Sequence, residues 1–223
     1  MFMNRSPRPA ASWSERTLSA SRRRFVVGGA IAGLGSAVGL AALKPPAAHA
    51  GRDEAMNDAA ILNGALYYEH QAIWAYTTAA GALSDSDVGR AVLSIAQANL
   101  ADHEVHRDTL AQVIRDLGGR PVMAESEYDL SSYLSEGYGG LDSDVNIAKL
   151  ALALETDAAI AYGSEVAKLK IPELVTAGVA IAAAEAAHAT SIRAAFVALG
   201  VDIVTIPAAF VGATTREDWV LKV

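Results

Sequence analysis

Apolar residues recur every three to four positions in four long segments of the chain, the spacing of helices that pack one face on a shared core. The first helix is predicted over about residues 53–81, with Leu62, Leu66, Glu69, Ile73 and Tyr76 on one face. The second follows the N-cap signal Ser84-Asp85-Ser86-Asp87 and runs over about 87–117. Its stripe is Val92, Ala96, Asn99, His103, His106, Leu110, Val113 and Leu117, and Gly118-Gly119 with Pro121 end it. The third covers about 145–169 and breaks at Ile171-Pro172, and the fourth covers about 172–199 and closes at Gly200. Ile181, Glu185, His188, Ile192, Phe196 and Leu199 line one side of the fourth. Residues 118–143 are too long for a hairpin link, so they predict a crossover that lets helices two and three run parallel. Residues 201–223 read as a tail packed along the bundle. The expected fold is all-α, a four-helix bundle.

Each of these apolar stripes carries charged or imidazole side chains near its middle. Such groups are costly in a core unless they are paired or bind metal. Glu185 and His188, three residues apart, share one helix face. The same pieces recur at fixed offsets. Glu69-x-x-Ala72-x-x-x-Tyr76 matches Glu155-x-x-Ala158-x-x-x-Tyr162, 86 residues later. His106, Leu110, Leu117 and Gly118 match His188, Ile192, Leu199 and Gly200, each 82 residues later. The chain is therefore two helix-hairpin halves, each offering a Glu on its first helix and a pair three apart on its second. Core filling, with each hydroxyl bonded to a carboxylate, is the expected role of Tyr76 and Tyr162.

A Glu from two helices and Glu-x-x-His from two others is the dinuclear carboxylate arrangement. Carboxylate oxygen with imidazole nitrogen suits divalent iron or manganese. On Glu69, His106, Glu155, Glu185 and His188, residues 55–200 resemble the ferritin-like superfamily, specifically small ferritin-like domain proteins exported by the twin-arginine route. The resemblance implies a ferritin-like four-helix bundle with a long crossover. It also implies a dinuclear non-haem iron or manganese cofactor held by Glu69, His103, His106, Glu155, Glu185 and His188. In that assignment Glu69 and His106 hold one ion, Glu155 and His188 the other, and Glu185 bridges. His103 stands where the pattern has a fourth Glu, leaving a more positive site that would favour one ion, another metal or an asymmetric pair.

Composition narrows the chemistry. Without Cys there is no disulfide, zinc–thiolate site, thiol catalysis or iron–sulfur cluster. Residues 1–50 hold seven of the 18 Lys and Arg but one acid, Glu15, so the rest of the chain is strongly acidic. That charge argues against nucleic acid as a partner. Within residues 1–50, Ser21-Arg22-Arg23-Arg24-Phe25-Val26 resembles a twin-arginine signature. A Gly/Ala-rich apolar run and Ala48-His49-Ala50 follow it. The expectation is an export signal cleaved after Ala50, a bundle over 51–223, no stable membrane span after cleavage, and a periplasmic or extracellular location. The expected partners are metal ions with oxygen or peroxide, and the acidic Ala-rich helix faces would support a homodimer. An oxidoreductase acting in oxidative or iron stress, ferroxidase- or peroxidase-like, is the leading functional expectation. The competing one is a metal-free or mononuclear bundle with a structural, protective role.

Overall fold

The computed structural model describes residues 51–223, and the export signal expected in residues 1–50 lies outside the described residues. The four long helices are α1 (Arg52–Ala80), α2 (Asp87–Asp116), α4 (Asp144–Glu165) and α5 (Pro172–Ala198). The crossover contains a short helix, α3 (Ser131–Ser135), and the tail another, α6 (Arg216–Trp219). No strand occurs among the described residues. Local chemistry sets the ends. The Ser86 and Ser143 side chains accept from the backbone N–H of Gly89 and Asn146, capping α2 and α4. Pro172 opens α5 at a position whose N–H has no helical partner anyway. α4 stops at Glu165 and tightens into a 3₁₀ turn over Val166–Lys168, earlier than the apolar pattern suggests.

The core is two apolar plugs with a polar layer between them. Leu62, Leu66, Leu110, Ile114, Leu174 and Ile181 fill one end, and Val92, Ile147, Leu152, Ile192 and Phe196 the other. The order of these residues gives the helix directions. Going from the second plug to the first, α2 passes from Val92 to Leu110 and α4 from Leu152 to Tyr162, so the two run parallel. α1 and α5 run the other way. The crossover is the connection that this topology requires. It closes against α4 at Gly139, where φ is +118° and a Cβ would lie 2.3 Å from the Asn146 carbonyl oxygen, so only glycine fits.

α5 is long and apolar enough to cross a membrane by length and composition. In the bundle it is a core helix, with Glu185, His188 and Arg193 among its buried residues. The Arg193 guanidinium donates to the carbonyls of Val204 and Trp219 and so pins the tail to α5. The tail in turn holds the crossover. Arg216 pairs with Asp157 on α4, Asp157 accepts from the Tyr133 hydroxyl at 2.9 Å, and Val223 N–H donates to Gly137.

Two carboxylates lock the halves together at the bundle's ends. Asp58 on α1 is fully buried and accepts from the backbone N–H groups of Lys170 and Ile171 at 2.8–3.0 Å, capping α5 from outside that helix. Asp144, 86 residues on, accepts from Ser84 N–H at 2.9 Å and from the hydroxyls of Ser84 and Ser86 before α2. Ser84 and Lys170 are themselves 86 apart. Each half clamps the turn of the other by the same contact.

Candidate metal centre

All six residues expected to face inward from mid-helix converge in the polar layer. Two groups of potential ligand atoms form, each lying within 4.8 Å: Glu69, His103, His106 and Glu185, and His103, Glu155, Glu185 and His188. The groups share His103 and Glu185. Glu69 and Glu155 are 2% exposed and Glu185 is fully buried, so water cannot solvate these charges.

The tyrosines support the carboxylates crosswise. Tyr76 on α1 donates to Glu155 Oε1 on α4, and Tyr162 on α4 donates to Glu69 Oε1 on α1. Seven residues of helix rise about 10 Å, too far for either tyrosine to reach its own helix's Glu. Two reciprocal bonds of this kind close only between antiparallel helices. Burial, then the neighbouring carboxylate charge, pushes both phenols far above their ordinary range, which keeps each a donor.

His103 lies between the two halves. Its Nδ1 is 2.8 Å from Glu69 Oε2 and its Nε2 3.2 Å from Glu155 Oε1. Both ring nitrogens can donate at once only in the imidazolium form. Burial alone would lower its pKa, but the Glu155 charge and the bonds to Glu155 and Glu69 outweigh it and hold the ring well above the usual histidine range. His188 behaves likewise. Burial lowers its pKa, yet bonds to Glu155 and Glu185 at 3.2 Å raise it to about 10. Burial would raise Glu155, and the two imidazoles drive it well below the carboxylate range. Glu185 stays above that range because of its burial and the Glu155 charge. In the metal-free protein, protons on the imidazoles balance the carboxylates.

A pH dependence follows. A histidine raised from 6.5 to about 10 contributes stability that is complete below pH 6.5 and lost as pH climbs to 10. The depressed Glu155 contributes stability that is present above about pH 4.5 and lost as pH falls below it. Thermal melts of chelator-treated protein should therefore show the highest midpoint between about pH 5 and 6.5, falling steadily towards pH 10. A midpoint that holds level over that upper range would contradict the paired arrangement.

His106 differs from the other two. Its Nδ1 stands 3.1 Å from Glu185 Oε1, but the two are out of line for a hydrogen bond, and both atoms are buried without any partner. Orphaned buried polar atoms are expensive and rare. A ring nitrogen and a carboxylate oxygen side by side in the same small space, neither in line to bond the other, suit a cation. The donor set, carboxylate oxygen and imidazole nitrogen, suits iron or manganese.

The family assignment agrees with that chemistry. The profile described as a ferritin-like domain matches residues 57–198, well over half the chain. The chain belongs to the ferritin-like domain family. Among solved structures, the ferritin-like chain is similar to a conserved hypothetical protein from Mycobacterium tuberculosis. Identity is 25% and the TM-score 0.55, over 70% of this chain and 99% of that one. No curated protein matches it.

Two supporting residues of this ferritin-like centre lie outside the six. Asp102 Oδ2 sits 3.1 Å from His188 Nε2, the ring nitrogen turned away from the carboxylates. Asn99 donates its amide to the Tyr76 hydroxyl at 2.9 Å and to Glu155 at 3.3 Å. Neither is duplicated: 82 residues on stand Ala184 and Ile181. The Glu155–His188 side therefore has two braces, Asp102 and Asn99, that the Glu69–His106 side lacks. His70 takes no part in the centre; its Nε2 approaches the Val122 carbonyl at 3.3 Å, at the start of the crossover. Trp219 is buried packing, its indole N–H donating to the Phe210 carbonyl.

Proposed function

We propose that this chain is an exported ferritin-like protein with a dinuclear non-haem iron or manganese centre, acting on oxygen, peroxide or ferrous iron in oxidative or iron stress. The observation that carries the reading is the orphaned pair His106 Nδ1 and Glu185 Oε1, beside two overlapping groups of four donors. Glu69 and His106 would hold one ion and Glu155 and His188 the other, with Glu185 and His103 reaching both. Bound iron or manganese would supply the electron transfer. The protein's part is to fix and shield the donors. Tyr162 and Tyr76 hold Glu69 and Glu155 in orientation, and the apolar plugs exclude bulk water from either end. The imidazoles release their protons as ions enter, so metal uptake strengthens with pH. Export rests on the Ser21–Val26 motif, the apolar run and the Ala48-His49-Ala50 site.

The activity is tested by oxygen uptake on adding ferrous iron to chelator-treated protein. The wild type should oxidise iron faster than Glu185→Ala, and equal rates would contradict a ferroxidase role. The second reading, a bundle with one ion or none, is favoured by the direct contacts of His103 to Glu69 and Glu155, since an imidazolium there already does part of a cation's work.

Bracing by Asp102 and Asn99 should make the two positions unequal. A carboxylate behind a ligating histidine fixes its ring and raises its basicity, and losing it weakens metal binding by about 10- to 100-fold. Competition against a chelator should therefore give two steps, and Asp102→Asn should weaken the tighter step by that factor while leaving the weaker one in place. Equal weakening of both steps would contradict the assignment of His188 to one ion.

A further inference from the structure

A cleft of about 780 Å³ lies between α1 and α4. Small and apolar side chains such as Ala65, Ala72, Ala75, Leu154 and Ala158 form its walls, and crossover residues Tyr128, Leu130, Tyr133 and Leu134 close one side. Its floor is the polar layer: Glu69, Glu155, His103 and the two supporting tyrosines all border it. Among the described residues no Lys or Arg lines it, and two of the acids at its margin are already paired, Asp157 with Arg216 and Glu165 with Lys168.

Dimensions decide what fits. The lining runs along α4 from Ile147 to Glu165, a rise of roughly 27 Å. Spread over that length, 780 Å³ leaves a cross-section of about 30 Å². A single hydrocarbon chain is thin enough. Its volume and apolar lining are those of a small-molecule site, and no lining Lys or Arg is placed to hold an anionic head group.

We propose that this cleft binds an elongated, electrically neutral molecule with a single hydrocarbon chain, its middle lying against the carboxylate–tyrosine floor. The binding stands on the cleft's own geometry; only the occupant's role as a substrate would rest on the metal reading above. Trp74 lines the cleft beside Tyr128, ring centroids 5.7 Å apart, and reports on occupancy.

The test titrates the full chain with hexadecanol brominated at mid-chain, following quenching of Trp74 fluorescence, with metal content measured on the same samples. Quenching should saturate at one probe per chain and vanish in Trp74→Phe. It should weaken about tenfold or more in Ala158→Phe and in Ala72→Phe, which narrow the cleft from opposite walls. The equally brominated hexadecanoate anion should also bind about tenfold more weakly. Non-saturating quenching, quenching unchanged in whichever of the two filling variants keeps wild-type helicity, or tighter binding of the anion would overturn the proposal. So would quenching that disappears as protein concentration rises and the chain self-associates. Probe binding in metal-free samples separates the two readings, because the cleft then stands whether or not the centre takes up metal.

Discussion

Glu185→Ala is expected to weaken metal binding by more than about a hundredfold, beyond the loss caused by removing a supporting residue. Among the described residues, Glu185 is the one carboxylate that reaches both groups of donors, and its Oε1 is buried without a hydrogen-bond partner. In the metal-free protein the same change has a milder effect of opposite sign. Three carboxylates crowd one dry layer, and the Glu155 charge already pushes Glu185 above its ordinary range. Removing one relieves that repulsion. Melting with and without metal should show the separation: Glu185→Ala holds or raises the metal-free midpoint and abolishes the rise that metal gives the wild type. His103→Glu should act the other way, supplying a fourth carboxylate and tightening a two-ion site. Equal metal content in the two variants would reject this ligand set.

Asp58→Ala should cost about 2–4 kcal/mol, because the buried N–H of Ile171 and the half-buried N–H of Lys170 lose their acceptor together. For a chain of this size that lowers the melting midpoint by roughly 5–12 °C. The duplicated partner provides the control. Asp144 makes the matching contacts at the solvent-exposed start of α2, where water replaces the lost acceptor, so Asp144→Ala should cost only about 1 kcal/mol. Similar losses in both would show that burial is not what separates them.

The bundle was legible because helix periodicity and breakers survive in one sequence. The parallel course of α2 and α4 was legible because residues 118–143 are too long for a hairpin link. The inward set of Glu69, His103, His106, Glu155, Glu185 and His188 was legible through the repeat, since two offsets tie the halves together. Which tyrosine supports which carboxylate was not, because sharing a face says nothing about the 10 Å or so of rise that separates them. Asp58 and Asp144 keep the same 86-residue offset as the glutamates, so the signal was present, but Asp144 reads as an ordinary acid in a helix's first turn. Asp102 left no trace of any kind. It lies about 100° from the apolar stripe of α2, has no duplicate, and reaches His188 only because α5 packs beside it. α3 and α6 span too few residues to show a period. The cleft depends on the spacing of α1 and α4, which no local pattern encodes.

The central claim is that the polar layer is a two-ion site rather than a self-paired core. Its most direct test is metal stoichiometry. Chelator-treated protein is reconstituted with ferrous iron or manganese under exclusion of oxygen, desalted, and assayed for bound metal per chain by elemental mass spectrometry. Two ions per chain are predicted, falling below one in Glu185→Ala. A wild-type protein that returns from reconstitution without metal, its melting midpoint unmoved, would contradict it.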